Sequence, residues 1–96
     1  MARAWVYILA SKRNGTLYIG LSTDLQKRVS QHKRGEIEGF TKRYNVTQLV
    51  YFEAFDDVRL AIQREKALKN WRRRWKTRLI ETINPSWSDL SDSLFG

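Results

Sequence analysis

Two short apolar runs, Trp5 to Ala10 and Thr16 to Gly20, flank the polar pentapeptide SKRNG. Both are rich in β-branched and aromatic residues, and together they read as a β-hairpin. Two turns suit the spacing. With Asn14-Gly15 as a two-residue turn, Tyr18 faces Ser11; with a four-residue loop from Ser11 to Asn14, it faces Tyr7. These registers differ by an even offset, so both place Tyr7 and Tyr18 on one face of the sheet. The other face, Val6, Ile8, Leu17 and Ile19, is wholly apolar and packs on the core.

Punctuation along the chain supplies the remaining elements. After Gly20, TDLQ matches a capping box with Thr23 as N-cap and Gln26 three residues on, and Gly35 is a fitting stop, giving a helix over about 24–34. Leu25 and Val29 point one way on it, while Asp24, Arg28 and His32 share an adjacent stripe. The segment GEIEGFTKRYNVT, residues 35–47, is a polar connection whose FTKRY mixes aromatic and basic side chains, a composition suited to touching a ligand. Leu49 to Phe55 reads as a third strand, and Asp56-Asp57 caps a helix reaching about Trp71. Another helix, over about 74–83, ends at Asn84-Pro85, because the residue before proline disfavours the helical region. The acidic, serine-rich end of the chain has Trp87 and Leu90 as its only evident anchors. The expected fold is α+β: a three-stranded antiparallel sheet, hairpin plus third strand, flanked by about three helices. One domain over 1–90 and a short tail over 91–96 are expected.

Length and composition narrow the function. A chain of 96 residues has room for one modest core. Without cysteine there is neither a disulfide framework nor a thiolate metal site, so a metal must sit on oxygen or on the lone His32. The apolar run near the start, Ala4 to Leu9, is too short for a signal-peptide core or a membrane span, and a cytoplasmic location is expected. Charge is the stronger guide. Eighteen basic against ten acidic side chains leave +8, and Arg59 to Arg78 carries nine Lys or Arg against Glu65 alone, which accounts for the whole excess. Trp71 and Trp75 interleave with this run. Such a mixture suits a phosphate-covered polymer, where each neutralised phosphate releases counterions. Lys69, Arg72, Arg73, Arg74 and Lys76 are the candidate nucleic-acid contacts, although a charge run can equally be a solvated helix face. A membrane surface fits less well, since no long apolar face accompanies the charges.

One residue breaks the pattern. The inward stripe of the 58–71 helix is Val58, Ala61, Ile62, position 65 and Leu68, and position 65 is glutamate. A carboxylate among apolar neighbours must be paired, hydrogen-bonded or metal-bound. Arg64, Lys66 or Lys69 would make it a structural ion pair. Alternatively it holds Mg²⁺, which takes one or two protein carboxylates and completes its shell with water and substrate phosphate.

Tyr7, the tetrapeptide LYIG (17–20), Arg28 and Glu65, in this order of elements and followed by NPSW, resemble the GIY-YIG nuclease superfamily, in its small stand-alone bacterial branch. The likeness runs from Trp5 to about Leu90. It implies a small sheet flanked by helices that hydrolyses phosphodiesters with one divalent metal, Mg²⁺ or Mn²⁺. By that likeness Tyr7 and Tyr18 are the tyrosines of the two tripeptides, with Gly20 completing the second. Arg28 is the helix arginine that binds the scissile phosphate, and Glu65 is the metal-ligating glutamate. His32 is a proton handler or orienting donor, and Asn84 is the late asparagine that helps order the site. Two departures stand out: the first tripeptide reads Trp5-Val6-Tyr7, and Leu21 follows Gly20 where some relatives carry lysine.

The residues make chemical sense in their own right. Arg28 offers a rigid fork for phosphate oxygens that lysine matches less well. Its bland alternative is a surface arginine paired with Asp24, and that of Tyr7 and Tyr18 is a pair of half-buried sheet aromatics. Tyr7 is the candidate for activating water, its pKa, ordinarily about 10, being lowered by a neighbouring cation and metal. The expected function is metal-dependent cleavage of nucleic acid, DNA in the first instance, by a monomer. A non-catalytic nucleic-acid-binding protein on the same fold, binding DNA or RNA, is the alternative.

Overall fold

The computed structural model describes residues 1–95. Three strands, β1 (Ala4–Ala10), β2 (Leu17–Ser22) and β3 (Gln48–Phe55), form one antiparallel sheet in the order β2-β1-β3. Three longer helices, α1 (Leu25–Lys33), α3 (Val58–Asn70) and α4 (Arg73–Ile83), accompany it, with two short ones, α2 (Phe40–Arg43) and α5 (Ser91–Phe95). The α+β sheet-and-helix architecture is as the sequence implies, with two short helices added. Gly96, the end of the expected tail, lies outside the described residues.

The hairpin register falls midway between the two expected ones: Tyr7 faces Gly20, and Tyr18 faces Leu9. Ser11 and Thr16 are the reason. Ser11 N–H donates to the Thr16 carbonyl at 3.0 Å, and Thr16 N–H donates to Ser11 Oγ at 3.0 Å, so these two residues close the hairpin. The loop is therefore Lys12 to Gly15, with Asn14 in the left-handed region at φ 57° and Gly15 N–H donating to the Lys12 carbonyl. Because the offset is still even, Tyr7 and Tyr18 do share a face.

Both faces of the sheet are covered. On one, Val6, Ile8 and Ile19 pack with Ala61 and Leu68 of α3, Ile80 of α4 and Trp87. On the other, Tyr7 and Leu9 pack with Leu25 and Val29 of α1, Val46 and Leu49. Tyr7 is thus fully buried rather than half-buried. A strand covered on both faces reads as a near-continuous apolar run, as WVYILA does.

Between Ile8 and Leu9 the β1–β3 register shifts, leaving Val50 as the extra residue of a bulge on β3. Its carbonyl is taken by Asn84 Nδ2 at 3.0 Å. Asn84, the residue after α4, also bonds Ser88 through both ends of its amide, so it ties the C-terminal segment to the bulge. Leu90 N–H then donates to the Leu49 carbonyl at 2.7 Å, and Asp89 accepts from Leu49 and Ser91 and pairs with Lys33. These anchors stand beside Trp87 and Leu90, the two that are evident in the sequence.

Helix ends differ in detail from the sequence reading. Asp24, not Thr23, caps α1: its carboxylate accepts from Lys27 N–H at 3.1 Å while Ser22 Oγ holds the Asp24 backbone. At the other end Gly35, at φ 69°, and Glu36 donate to the carbonyls of His32 and Gln31, a Schellman stop that only a residue tolerant of the left-handed region can make cheaply. Asp57 caps α3 by accepting from Arg59 N–H. Along α3 the inward stripe is Val58, Ala61, Glu65 and Leu68; Ile62, expected inside, is exposed. No described helix is long and apolar enough to cross a membrane.

Candidate active site

The centre of β1 presents Tyr7 toward α1, and Gly20 on the neighbouring edge strand faces it. A Cβ on Gly20 would lie 2.4 Å from Tyr7 Cζ and 2.5 Å from its hydroxyl oxygen, so the phenol rests on bare glycine backbone. Tyr18, two residues back on the same face, holds its ring centroid 6.3 Å from that of Tyr7.

Helix α1 brings His32 to the same place. With Leu25 and Val29 buried on the sheet, the Schellman stop leaves His32 inside the last turn and buried as well. Nε2 meets the Tyr7 hydroxyl at 3.1 Å, and Nδ1 meets Thr41 Oγ1 at 2.9 Å. Burial, helped by the Arg28 charge one turn earlier, lowers the His32 pKa to about 4 and keeps the ring neutral near pH 7. A neutral imidazole donates from one nitrogen and accepts at the other. Tyr7 donating to Nε2 therefore goes with Nδ1–H donating to Thr41, and the reverse tautomer with Thr41 donating to Nδ1.

Two opposite charges act on the Tyr7 hydroxyl. Arg28 lies exposed on α1 and has no ion-pair partner among the described residues; the Asp24 carboxylate, its expected partner, caps the helix instead. Glu65, on α3, contributes a negative charge. Burial pushes the Tyr7 pKa well up from its ordinary value; Tyr18 and Glu65 add to the rise, and Arg28 opposes it. The lowering expected from a neighbouring cation is thus outweighed by desolvation, which disfavours phenolate in a dry site.

Glu65 has one ionic contact, Lys69 Nζ at 3.4 Å, made by a lysine that is itself half exposed. Arg64, a second expected partner, is turned away: it binds Glu53 through Nε at 2.9 Å and Nη2 at 2.8 Å and stacks over Trp71. The described residues hold no cluster of three or more His, Asp or Glu that could form a closed metal cage. Glu65 alone offers a hard, partly accessible oxygen donor. That donor set suits Mg²⁺ or Mn²⁺ carrying mostly water and phosphate, and does not suit zinc.

Residues 3–78 match the model of the GIY-YIG catalytic domain. The chain belongs to the GIY-YIG family. It is 38% identical over 80 residues to a UPF0213 protein of Staphylococcus saprophyticus, covering 83% of this chain and 96% of that one. It is 38% identical over 77 residues to a UPF0213 protein of Haloquadratum walsbyi, covering 80% and 85%. A solution NMR structure of a UPF0213 protein from Bacillus halodurans superposes with a TM-score of 0.56 at 28% identity, covering 90% of each chain. Membership places the protein in an endonuclease superfamily whose substrates are nucleic acids.

Within this GIY-YIG domain the expected site residues divide in two. Tyr7, Tyr18 and His32 touch or face one another, Gly20 floors Tyr7, and the charges of Arg28 and Glu65 both bear on the Tyr7 hydroxyl. Asn84 stands apart: among the described residues its side-chain bonds go to Val50 and Ser88 and to none of the other candidate site residues. The basic run is partly structural, since Arg59, Arg64 and Lys69 pair with Asp57, Glu53 and Glu65. Arg73 donates to the Gly15 carbonyl in the hairpin loop, and Lys76 Nζ to the Lys69 carbonyl at 3.4 Å. Arg72 and Arg74 are exposed and have no ionic partner among the described residues. Thr41 is a site residue that sequence reasoning missed. A threonine in a polar connection gives no signal, and only the folded α2 turns it toward His32.

Proposed function

We propose that this GIY-YIG domain hydrolyses phosphodiester bonds in nucleic acid, DNA in the first instance, with Mg²⁺ or Mn²⁺ as cofactor. The reading rests above all on the buried Tyr7 phenol, set on the bare backbone of Gly20 and bonded to His32, with the charges of Arg28 and Glu65 both felt at its hydroxyl. Opposite charges that leave each other unpaired beside a protonatable group suit a substrate carrying negative charge together with a cation.

Arg28 grips the nonbridging oxygens of the phosphate with its planar fork. Glu65 holds the cation, with Lys69 yielding its loose contact. When bound, that cation supplies charge neutralisation at the phosphate and lowers the pKa of water and of the nearby phenol. Tyr7 orients the attacking water, and as the water's proton passes to the phenol oxygen the phenol's own proton passes along its hydrogen bond to neutral His32 Nε2, which leaves Tyr7 neutral and the proton on the imidazole. Thr41 holds the orientation of the His32 ring and accepts from Nδ1–H when Tyr7 donates to Nε2. Tyr18 covers the His32 ring at 5.4 Å between centroids and keeps bulk water from that side. Arg72 and Arg74 draw in the polyanion.

A panel of labelled duplex, branched and single-stranded DNA and RNA, incubated with Mg²⁺, with Mn²⁺ or with EDTA, tests this reading. Cleavage confined to the reactions containing metal is expected. Salt-sensitive binding with no cleavage under any condition would overturn it in favour of a binding protein on the same fold.

A further inference from the structure

Of the segment FTKRY only Thr41 is used by the chemistry above, yet the whole segment folds into a specific object. Helix α2 follows Gly39, at φ 111°, and is pinned by the buried Thr41 against His32. The residues on either side of that pin turn outward. Phe40 and Tyr44 are 46% and 50% exposed, and their ring centroids stand 5.0 Å apart. On its other side Phe40 is stacked with Tyr18, at 6.4 Å and an interplanar angle of 26°. Three aromatic rings therefore run without interruption from the candidate active site to the surface. The Arg43 guanidinium sits 5.7 Å from the centre of the Tyr44 ring, and Lys42 is held nearby by Glu38 at 2.8 Å.

Single exposed aromatics are commonplace, whereas a row of three rings in contact, the first pair stacked and the second tilted at 48°, that begins at the reaction centre and is edged with cations calls for an occupant. A nucleobase supplies what the row lacks: a flat π face of matching size, attached to a phosphate that the basic edge attracts. In a duplex both faces of each internal base are already stacked on neighbours, so only an unpaired base can take the position. We infer that Tyr18, Phe40 and Tyr44 form a stacking platform for unpaired bases, so that the substrate presents a single-stranded stretch next to the phosphate held by Arg28. This rests on the hydrolase reading for its placement relative to the reacting phosphate, but not for the binding itself.

The test measures binding in EDTA, where metal-dependent cleavage cannot interfere. Fluorescence anisotropy of labelled oligo-dT, oligo-U and a blunt duplex of equal length is recorded with the full chain and two double variants, Phe40→Ala/Tyr44→Ala and Phe40→Leu/Tyr44→Leu. Both variants should lose about 10-fold or more on the single strands and less than about 2-fold on the duplex, since base stacking is available only in the former. The oligonucleotide bound more tightly identifies the polymer. Unchanged single-strand binding, an equal loss on the duplex, or a leucine pair as good as wild type would overturn the platform. Circular dichroism confirms that each variant is folded. If the rings govern single-strand binding but no substrate is cut with Mg²⁺, the platform stands and the hydrolase reading falls.

Discussion

Gly20 lies directly across the strand pair from Tyr7, and a methyl group there would sit 2.4 Å from Cζ of the phenol. The glycine is needed for the space it leaves rather than for its backbone angles. Gly20→Ala should push the Tyr7 ring off His32 and destabilise the protein by about 1–3 kcal/mol, the usual penalty of overpacking a tight core. In a Tyr7→Ala background the same change should be close to neutral. Urea melts of the four proteins in a double-mutant cycle measure this coupling; equal penalties in both backgrounds would contradict it.

His32 gives a pH signature. Its folded pKa of about 4 lies below the unfolded value, so between the two the unfolded chain binds more protons and stability falls as pH falls. Above about pH 6.5 the effect vanishes, because the ring is neutral in both states. Full passage through the window should remove roughly 2–3 kcal/mol. Carboxylates also titrate there, so the measurement is the difference between wild type and His32→Gln in denaturant melts from pH 7 to pH 4. The extra slope should be absent from the variant.

For Arg28, exposure without an ionic partner means that Arg28→Lys should leave the fold intact. The charge remains but the two-pronged geometry disappears. Substrate affinity should hold while turnover falls about 100-fold, in the range seen when one transition-state donor is removed. Steady-state kinetics that show near-normal turnover would reduce Arg28 to a diffuse positive charge.

The free guanidinium groups beyond α3 should govern salt dependence. Arg72→Ala combined with Arg74→Ala should weaken binding alike on unrelated sequences and flatten the log–log salt slope by about 2, near one unit for each phosphate no longer neutralised. Removing Arg59 instead, which is engaged by Asp57, should change the slope little.

The elements were legible where periodicity and punctuation agree, as in the hairpin, the Gly35 stop and the stripe that singles out Glu65. The hairpin register was not, because it is decided by one hydroxyl: Ser11 Oγ binds Thr16 N–H and moves the four-residue loop one position along the chain, from 11–14 to 12–15. Thr23 and Asp24 are both good caps by type, and only the bond from Ser22 selects Asp24. In the candidate site, Tyr7, Tyr18, Arg28, His32 and Glu65 were singled out by residue type and spacing together with the family likeness. The burial that raises the Tyr7 pKa and the Thr41 contact could not, since both depend on how α1 and α2 close over the sheet. Asn84 likewise draws its purpose from a bulge at Val50 that no local pattern announces.

Glu65→Gln tests the central claim most directly. The amide keeps the shape of the carboxylate but is a poor ligand for a hard divalent cation. Its ionic contact is to a half-exposed lysine at 3.4 Å, so thermal stability should stay within about 1 kcal/mol of wild type. Measured at a temperature where both proteins are folded and bind nucleic acid equally, Mg²⁺- or Mn²⁺-dependent cleavage should be present in wild type and absent in Glu65→Gln. A folded Glu65→Gln protein that cuts at the wild-type rate would contradict the assignment of Glu65 to the metal.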